Sequence, residues 1–480
     1  MTKAPGQEHC SRAERTPTGP SRRSGAKTAL VCGVVALVAM SACGSGTSRS
    51  GSTTATSPTS SSNGPVDKTL GPGVSDTSIK VGVALVDFTS IEQYTDLIRT
   101  NAEQKQIYQI YINNLNAHGG IHGREIVPYY QYYSPLGTAG IGSVCISFTQ
   151  DDNVFAVVGT FVDFSGAAQT CVANQARRVL MTYNLTQAII DKSPGGLAIT
   201  AGDIPERSAS ILIQLLQKQK TLKDRTVAVL GDTTEATVVN DTIVPDLKKS
   251  GVHLGDTAVL NISTTGDTTA ALAQLTSFVE KWKTEHVDTV FLSGDLASSK
   301  QIVVPLKKAL PTLLLVADTT DTLISAQQVQ QAGITPNPYE GLLTAGGLSP
   351  KEYDASANWK YCADIYQAAT GNTAPDAEHT LKLSNGKLND VNGIISNACQ
   401  TLTMFHDIGE RVGQYLNAPD WIDTVNNFGP IENRGSGPYS SLHTGKYAAD
   451  DTSRLQEYDS SLGDTGLWNA VTPLQDISGN

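Results

Sequence analysis

Two histidines flank a pair of glycines in the stretch NAHGGIHGREI, residues 116–126. His118 and His122 are four apart, which on a continuous helix would place two imidazoles on one face for a metal ion. Gly119 and Gly120 interrupt such a helix, and a phosphate-binding loop would follow a strand rather than a helix. The stretch therefore predicts a turn from a helix into a strand, and we expect neither a metal nor a cofactor there.

Sequence signatures of catalysis are sparse. The chain has no G-x-S-x-G motif, and its eight histidines are scattered. The stretch DTG at residues 464–466 matches part of an aspartic protease motif, but that chemistry needs two such carboxylates in β-rich lobes. We therefore expect that the protein is not an enzyme.

The N-terminal segment has the pattern of an export signal. Basic residues in positions 1–27 precede an apolar run of 13 residues, 28–40, which is too short to span a bilayer. The run ends in MSAC, which resembles a bacterial lipobox, and residues 44–66 are almost entirely Gly, Ser, Thr and Pro. We expect lipidation at Cys43, a flexible tether, and a location on the outer face of the bacterial cell membrane. The alternative is an ordinary signal peptide that ends near a cysteine.

Four further cysteines follow Cys43, and none forms a C-x-x-C pair. An even number in an exported protein predicts two disulfides, with three pairings open. The formal net charge of −11 argues against a nucleic-acid partner, because nucleic-acid binding needs a basic surface.

The body that begins near residue 78 alternates between strand and helix patterns. Short β-branched runs such as IKVGVALV, VFAVVGT and TVAVLGD predict buried strands, and apolar residues at helical spacing lie between them. The alternation occurs twice and is followed by a mainly helical segment. We therefore predict an α/β fold with two doubly wound lobes.

Three stretches in order, GVSDTSIKVGVAL, YINNLNAHGGIHGREIVPYYQYYSP and VFAVVGTFVDFSGAAQTCVANQARRVLMT, resemble the type I periplasmic binding protein family. Within that family they look like the substrate-binding lipoproteins of branched-chain amino acid ABC importers. The resemblance covers about 110 residues and is architectural after residue 201. It implies two parallel-sheet lobes joined by about three crossovers that close on a ligand.

The resemblance also implies a division of the chain. The expected segments are a signal peptide (1–43), a tether (44–75), the first part of lobe 1 (76–203), lobe 2 (204–342), a return segment of lobe 1 (343–430) and a C-terminal crossover segment partly in lobe 2 (431–480).

The implied function is that of a monomeric, extracytoplasmic substrate-binding lipoprotein. It would capture a small polar ligand in the interlobe cleft and deliver it to membrane permease subunits. The alternative is a ligand-sensing receptor component of the same fold that is not coupled to transport.

Polar residues at strand ends are the candidate ligand contacts, because ligands of open α/β sheets bind beyond the carboxyl ends of strands. In the resembled family, a serine near the start of the helix after VxG holds the ligand carboxylate, and Ser165 has that position. A second-lobe carboxylate there pairs with the ligand ammonium, a role open to Asp318 or Asp295. The candidates are Phe88, Thr89, Phe164, Ser165, Tyr183, Asn184, Asp232, Asp295, Asp318 and Thr319.

The sequence departs from the family at two positions. GDTTEATV lacks the aromatic residue often found after this strand, and Asp295 stands where an aromatic often packs against the ligand. The departures suggest a more polar ligand, an amide or an aromatic acid. The resemblance further implies a disulfide between Cys145 and Cys171, which leaves Cys362 to pair with Cys399.

Overall fold

The computed structural model describes residues 68–91, 97–135, 138–159, 167–182, 185–261, 269–377, 381–382 and 388–479. The expected lipidation site Cys43 lies outside these residues. No helix in the described ranges is long and apolar enough to cross a membrane.

Strands make up two principal sheets and two small ones. In chain order they are β1 (Ser78–Val86), β2 (Leu97–Ile98), β3 (Glu125–Tyr133), β4 (Ala156–Gly159), β5 (Val179–Met181), β6 (Ala198–Ile199), β7 (Thr226–Asp232), β8 (His253–Leu260), β9 (Thr289–Leu292), β10 (Leu314–Ala317), β11 (Leu343–Gly346), β12 (Leu381–Lys382), β13 (Leu388–Asn389), β14 (Gly429–Pro430), β15 (Ser441–Leu442), β16 (Thr452–Asp459), β17 (Leu467–Ala470) and β18 (Gln475–Asp476).

Helices connect and cover these strands. They are α1 (Asn101–Ala117), α2 (Thr138–Ile146), α3 (Ala167–Gln169), α4 (Gln187–Lys192), α5 (Pro205–Lys218), α6 (Ala236–Val238), α7 (Val244–Lys249), α8 (Thr269–Thr284), α9 (Asp295–Ser298), α10 (Lys300–Ala309), α11 (Thr322–Gln331), α12 (Pro350–Ala355), α13 (Ala357–Thr370), α14 (Val391–Val412) and α15 (Ala418–Asn426).

The first lobe is built on a five-stranded sheet in the order β3-β1-β4-β5-β6. All its pairs are parallel, as the βαβ alternation predicted. Its core includes the fully buried Val81, Val83 and Leu85 of β1 and also takes in residues of the return helices α13 and α14. The first lobe is therefore completed by a part of the chain that is distant in sequence.

The second lobe is built on an eight-stranded sheet, β17-β16-β11-β10-β9-β7-β8, with β18 paired to β16. Alternate residues of β7 enter two cores: Val227 and Val229 pack with α5, while Ala228 and Leu230 pack on the α8 side. Burial on both faces explains why TVAVLGD is a nearly continuous apolar run. Strand β11 begins at Leu343, just past the expected end of lobe 2 at residue 342.

The chain passes between the lobes three times. It leaves the first sheet after β6, returns after β11 into α12, and crosses again before β16. The two-lobed α/β fold expected from the sequence is thereby confirmed.

The opening glycine stretch forms a turn between α1 and β3. Gly120 has φ +62°, and a Cβ placed there would lie 1.9 Å from the Arg124 carbonyl oxygen, so only glycine fits. His118 Nδ1 contacts the Asn114 carbonyl oxygen at 2.7 Å, and His122 Nε2 contacts that of Glu410 at 2.7 Å. Each imidazole is thus engaged with backbone, as expected of turn residues.

The end of the expected tether packs on the body. The Gly71 amide donates to the Leu416 carbonyl at 2.8 Å, and Val74 pairs with Ile79. Gly71 and Val74, which the sequence analysis assigned to the tether, are therefore part of the folded body.

Two disulfides join neighbouring helices of the first lobe. Cys145 is bonded to Cys171 with a Cα–Cα distance of 6.4 Å, and Cys362 to Cys399 with 5.8 Å. Both expected pairings are present.

Candidate ligand-binding cleft

The carboxyl ends of strands in the second sheet place two candidate residues, Asp232 and Asp318, at the same edge. Strands β7, β9 and β10 are adjacent and parallel, so Asp232, the Ser293–Gly294 pair and Asp318 lie at one edge. Strands β9 and β10 end in the buried apolar residues Leu292 and Ala317, which polar side chains follow directly, and Asp232 is itself the last residue of β7. This edge is where a ligand of an open α/β sheet binds.

Asp318 is a buried carboxylate held by neutral donors. Its side chain is 5% exposed and accepts hydrogen bonds from the Ser293 hydroxyl at 2.9 Å and the Gly294 amide at 2.8 Å. Burial raises the pKa of Asp318 to about 6; the two hydrogen bonds oppose the rise, and the Glu206 charge adds to it. Asp318 is therefore mostly ionised at neutral pH in a dry setting, with lone pairs left to accept from a ligand N–H.

A left-handed glycine makes this arrangement possible. Gly294 has φ +63°, and a Cβ there would lie 2.5 Å from the Glu235 side chain. Gly294 is also the residue whose backbone amide donates to Asp318. A side chain at this position would therefore strain the backbone that supplies the hydrogen bond.

Asp232 and Thr319 have local roles. Asp232 accepts hydrogen bonds from the Thr234 amide at 2.7 Å and the Glu235 amide at 3.2 Å, so it caps the turn that follows β7. The Thr319 hydroxyl accepts the Asp321 amide at 3.2 Å. Asp295 is the first residue of α9, and its side chain is not among those described.

The first-lobe candidates are only partly described. The Thr89 hydroxyl donates to Asp87 at 2.7 Å, and the Phe88 ring lies 5.6 Å from the Arg99 guanidinium carbon. The other first-lobe candidates follow β4 and β5 in the chain and lie outside the described residues: Phe164, Ser165, Tyr183 and Asn184.

Glu206, in the first turn of second-lobe helix α5, lies near these edges. Burial raises the pKa of Glu206, the nearby backbone N–H of Gln187 at the start of first-lobe helix α4 opposes the rise, and the Glu206 charge also acts on Asp318. Because α4 begins just beyond the carboxyl end of β5, Glu206 connects the carboxyl edges of the two sheets. The edges therefore face one another.

Arg99 of the first lobe acts electrostatically on Asp321 of the second lobe, an interaction that the sequence did not reveal. Arg99 is paired with Asp390 in the first lobe, and its side chain is 13% exposed. Desolvation raises the pKa of Asp321, at the start of second-lobe helix α11; the Arg99 charge opposes the rise and Asp390 adds to it. Arg99 and Asp390 are 291 positions apart, so no local pattern could have paired them.

No protein-family model matches the chain, and no curated protein matches it. Solved structures do match. A fatty acid ABC transporter substrate-binding protein from Thermomonospora curvata superposes with a TM-score of 0.58 and 16% identity, over 86% of this chain and 96% of that chain.

Two further structures agree. The branched-chain amino acid transporter substrate-binding protein LivJ from Streptococcus pneumoniae, in complex with isoleucine, gives a TM-score of 0.56 at 16% identity, over 82% of this chain and 100% of that one. A solute-binding protein of an ABC transporter from Rhodopseudomonas palustris, in complex with 3,4-dihydroxybenzoic acid, gives 0.57 at 13% identity, over 84% and 98%. At these identities the likeness concerns the fold, and it shows that the chain has the type I periplasmic binding protein fold of ABC transporter substrate-binding proteins.

Proposed function

We propose that this protein is an extracytoplasmic substrate-binding lipoprotein of an ABC importer, which captures one small polar ligand between its lobes and passes it to permease subunits unchanged. The fold supports the class of protein, because the structural neighbours are substrate-binding proteins. The buried Asp318, held by neutral donors at the carboxyl edge of the second sheet, is the observation that carries the proposal.

The ligand is proposed to present an N–H or cationic group to Asp318. A buried carboxylate is costly unless it is paired or hydrogen-bonded, and Asp318 has two neutral donors from the protein. A ligand ammonium or amide would add the missing positive or N–H partner. Analogues without that group would leave the carboxylate less satisfied and would bind more weakly.

The other end of the ligand is proposed to contact the first lobe. We propose that the Ser165 hydroxyl donates to a ligand carboxylate and that Phe164, Tyr183 and Asn184 are further contacts. Phe88 lies at the same edge, and its ring is 5.6 Å from the guanidinium carbon of Arg99. An amino-acid-like molecule, an amide or an organic acid fits this combination.

Anchoring is proposed to be through a lipid on Cys43, with the Gly/Ser/Thr-rich segment as a tether. We expect Cys43→Ser to release the protein from the membrane fraction. Normal processing and membrane retention of this variant would contradict the anchor without affecting the proposed ligand site.

A thermal-shift screen of the full-length, detergent-solubilised protein against amino acids, amides, aromatic acids and fatty acids tests the proposal. A ligand that binds only the folded state stabilises it by about 2.7 kcal/mol at a hundredfold excess over its Kd. The hit is then repeated on Asp318→Asn and on Asp288→Asn, a matched control at the opposite, amino end of β9.

We expect the control to keep the shift and Asp318→Asn to lose most of it. Equal shifts in both variants would exclude Asp318 as a ligand contact. Chemical conversion of the ligand during incubation would contradict a pure binding function.

A further inference from the structure

The three interlobe crossovers lie side by side. The Thr200 amide donates to the Tyr447 carbonyl and the Ala449 amide to the Thr200 carbonyl, both at 2.9 Å, so the first and third crossovers form a short ladder. Arg454 and Gln456 of β16 donate to the Gly347 carbonyl at 3.0 and 2.9 Å, which joins the second crossover to the third. Movement of one lobe against the other must bend all three together.

Five charged side chains are packed against the first and third crossovers, and we call them the crossover cluster: Asp203, Arg207, Lys446, Asp450 and Asp451. Asp451 is at its centre and is 0% exposed. One of its oxygens accepts Arg207 at 2.6 Å and Lys446 at 3.0 Å, and the other accepts the Ser441 hydroxyl at 2.6 Å. Arg207 also reaches Asp203 at 3.4 Å and the Asp450 carbonyl at 2.7 Å.

The cluster contains three carboxylates and two cations. Asp451 takes both cations directly, whereas the Asp450 carboxylate accepts only neutral donors, the Thr452 amide at 2.9 Å and the Ser436 hydroxyl at 3.0 Å. The charges of Asp203, from the first crossover, and Asp451, from its own segment, act on Asp450. Arg207 of α5 donates to the Asp450 backbone carbonyl, and Lys446 is bound to Asp451. Asp476 on β18 stands within range of the same two cations. The cluster thus carries one excess negative charge when every member is ionised.

We propose that the crossover cluster makes the hinge proton-responsive: uptake of one proton by Asp450 neutralises the excess charge and holds the three crossovers more firmly in the observed geometry. The device concerns the hinge and not the ligand site, and its test needs no ligand. It can therefore fail or succeed independently of the proposed transport function.

The pKa of Asp450 lies within the pH range in which the experiment can be done. Burial raises the pKa of Asp450 to about 6 from 3.8, the Thr452 and Ser436 hydrogen bonds oppose the rise, and Asp203 and Asp451 add to it. Hinge opening that returns the carboxyl to water would restore its ordinary pKa. Linkage then makes opening about tenfold rarer at pH 5 than at pH 7.5, because the closed cluster binds the proton more tightly.

Hydrogen exchange of backbone amides in the full-length protein measures this opening. Peptides that cover residues 200–204 and 448–452 are compared at pH 5 and pH 7.5, after correction for the intrinsic exchange rate. In the wild type we expect about tenfold greater protection at pH 5. Peptides from α8, remote from the crossovers, report any change in global stability and should not follow the hinge.

Asp450→Asn imitates the protonated carboxyl, since its amide can still accept from Thr452 and can donate to Ser436. We expect this variant to be protected equally at both pH values, at the level of the wild type at pH 5. Asp423→Asn, an exposed carboxylate on α15, is the matched control and should behave like the wild type. Retained pH dependence in Asp450→Asn would overturn the proposal. If that variant does not fold, equal protection of the wild-type hinge at both pH values would overturn it as well.

Discussion

Two buried aspartates in this molecule are satisfied in opposite ways. Asp451 in the crossover cluster is neutralised by Arg207 and Lys446, both within 3.0 Å. Asp318 at the carboxyl edge of the second sheet has hydrogen-bond partners that are neutral, Ser293 and Gly294. The protein supplies the counter-charge for the first carboxylate, whereas these two partners of the second are neutral, which is why we propose that Asp318 contacts a ligand.

Removing the structural carboxylate should have the largest effect. Asp451→Ala removes the buried carboxylate that Arg207 and Lys446 share, which leaves Arg207 with Asp203 and takes from Lys446 its carboxylate at 3.0 Å. Breaking a buried ion pair in this way typically costs about 3–5 kcal/mol. We expect the midpoint of chemical denaturation to fall accordingly. Asp224→Ala is the control, because the Lys223–Asp224 pair is exposed and exposed pairs contribute roughly 0–1 kcal/mol. Equal losses in the two variants would mean that burial of the cluster does not matter.

Asp318 should make the protein less stable as the pH rises, whereas a carboxylate paired with a cation makes a protein more stable as the pH rises. Its folded pKa is raised to about 6 from 3.8, so the folded state binds the proton more tightly than the unfolded chain. Its contribution to stability is therefore fully present below the unfolded pKa of 3.8, is still large at pH 4, and is lost as the pH rises through about 6. The free energy of unfolding of the wild type relative to Asp318→Asn should fall by about 2–3 kcal/mol between pH 4 and pH 7.

Denaturation at several pH values measures this difference, and the comparison with Asp318→Asn removes the contributions of other groups. A relative stability that rises with pH would show that Asp318 is paired with a cation, as Asp451 is. Asp318 and Asp451 would then not differ in the kind of partner that each carboxylate has.

Ser293→Ala should have a smaller effect at the same site. The hydroxyl stabilises the charged form of Asp318, so its removal raises the pKa of that carboxyl further and costs about 1–2 kcal/mol at neutral pH. The steepest part of the pH profile should move to higher pH, while Ser441→Ala beside Asp451 should not shift it. An unchanged profile in Ser293→Ala would indicate that the hydroxyl does not donate to Asp318.

The sequence predicted the strands with continuous apolar runs better than the others. Strands β1, β4, β7 and β10 were expected because both of their faces are buried. Strand β16 was not, because its buried positions include Arg454 and Gln456, which hydrogen-bond across to the second crossover. Strand β8, with Gly255 and Asp256 inside it, was missed for a similar reason: Asp256 is satisfied by Lys281 and the indole of Trp282 on α8.

The candidate site residues also divide into those with a local sequence signal and those whose partners are distant in the chain. Asp318 was predictable, since it stands directly after an apolar strand. Its partners Ser293 and Gly294 follow the neighbouring strand. The order of strands in the sheet is therefore enough to predict that they lie beside Asp318. Arg207 and Asp451 are 244 positions apart on two different crossovers, so their pairing exists only once both lobes are folded. Polar groups satisfied over such separations leave no periodic signal in the sequence.

We propose that a ligand supplies to Asp318 the positive or N–H partner that Arg207 and Lys446 supply to Asp451. Calorimetric titration of the screened ligand into the wild type, Asp318→Asn and Asp288→Asn tests it directly. We predict one site per chain, unchanged affinity in Asp288→Asn, and a loss in Asp318→Asn of about 1.5–3 kcal/mol, the contribution of a hydrogen bond to a charged group. Wild-type affinity in Asp318→Asn would contradict the claim.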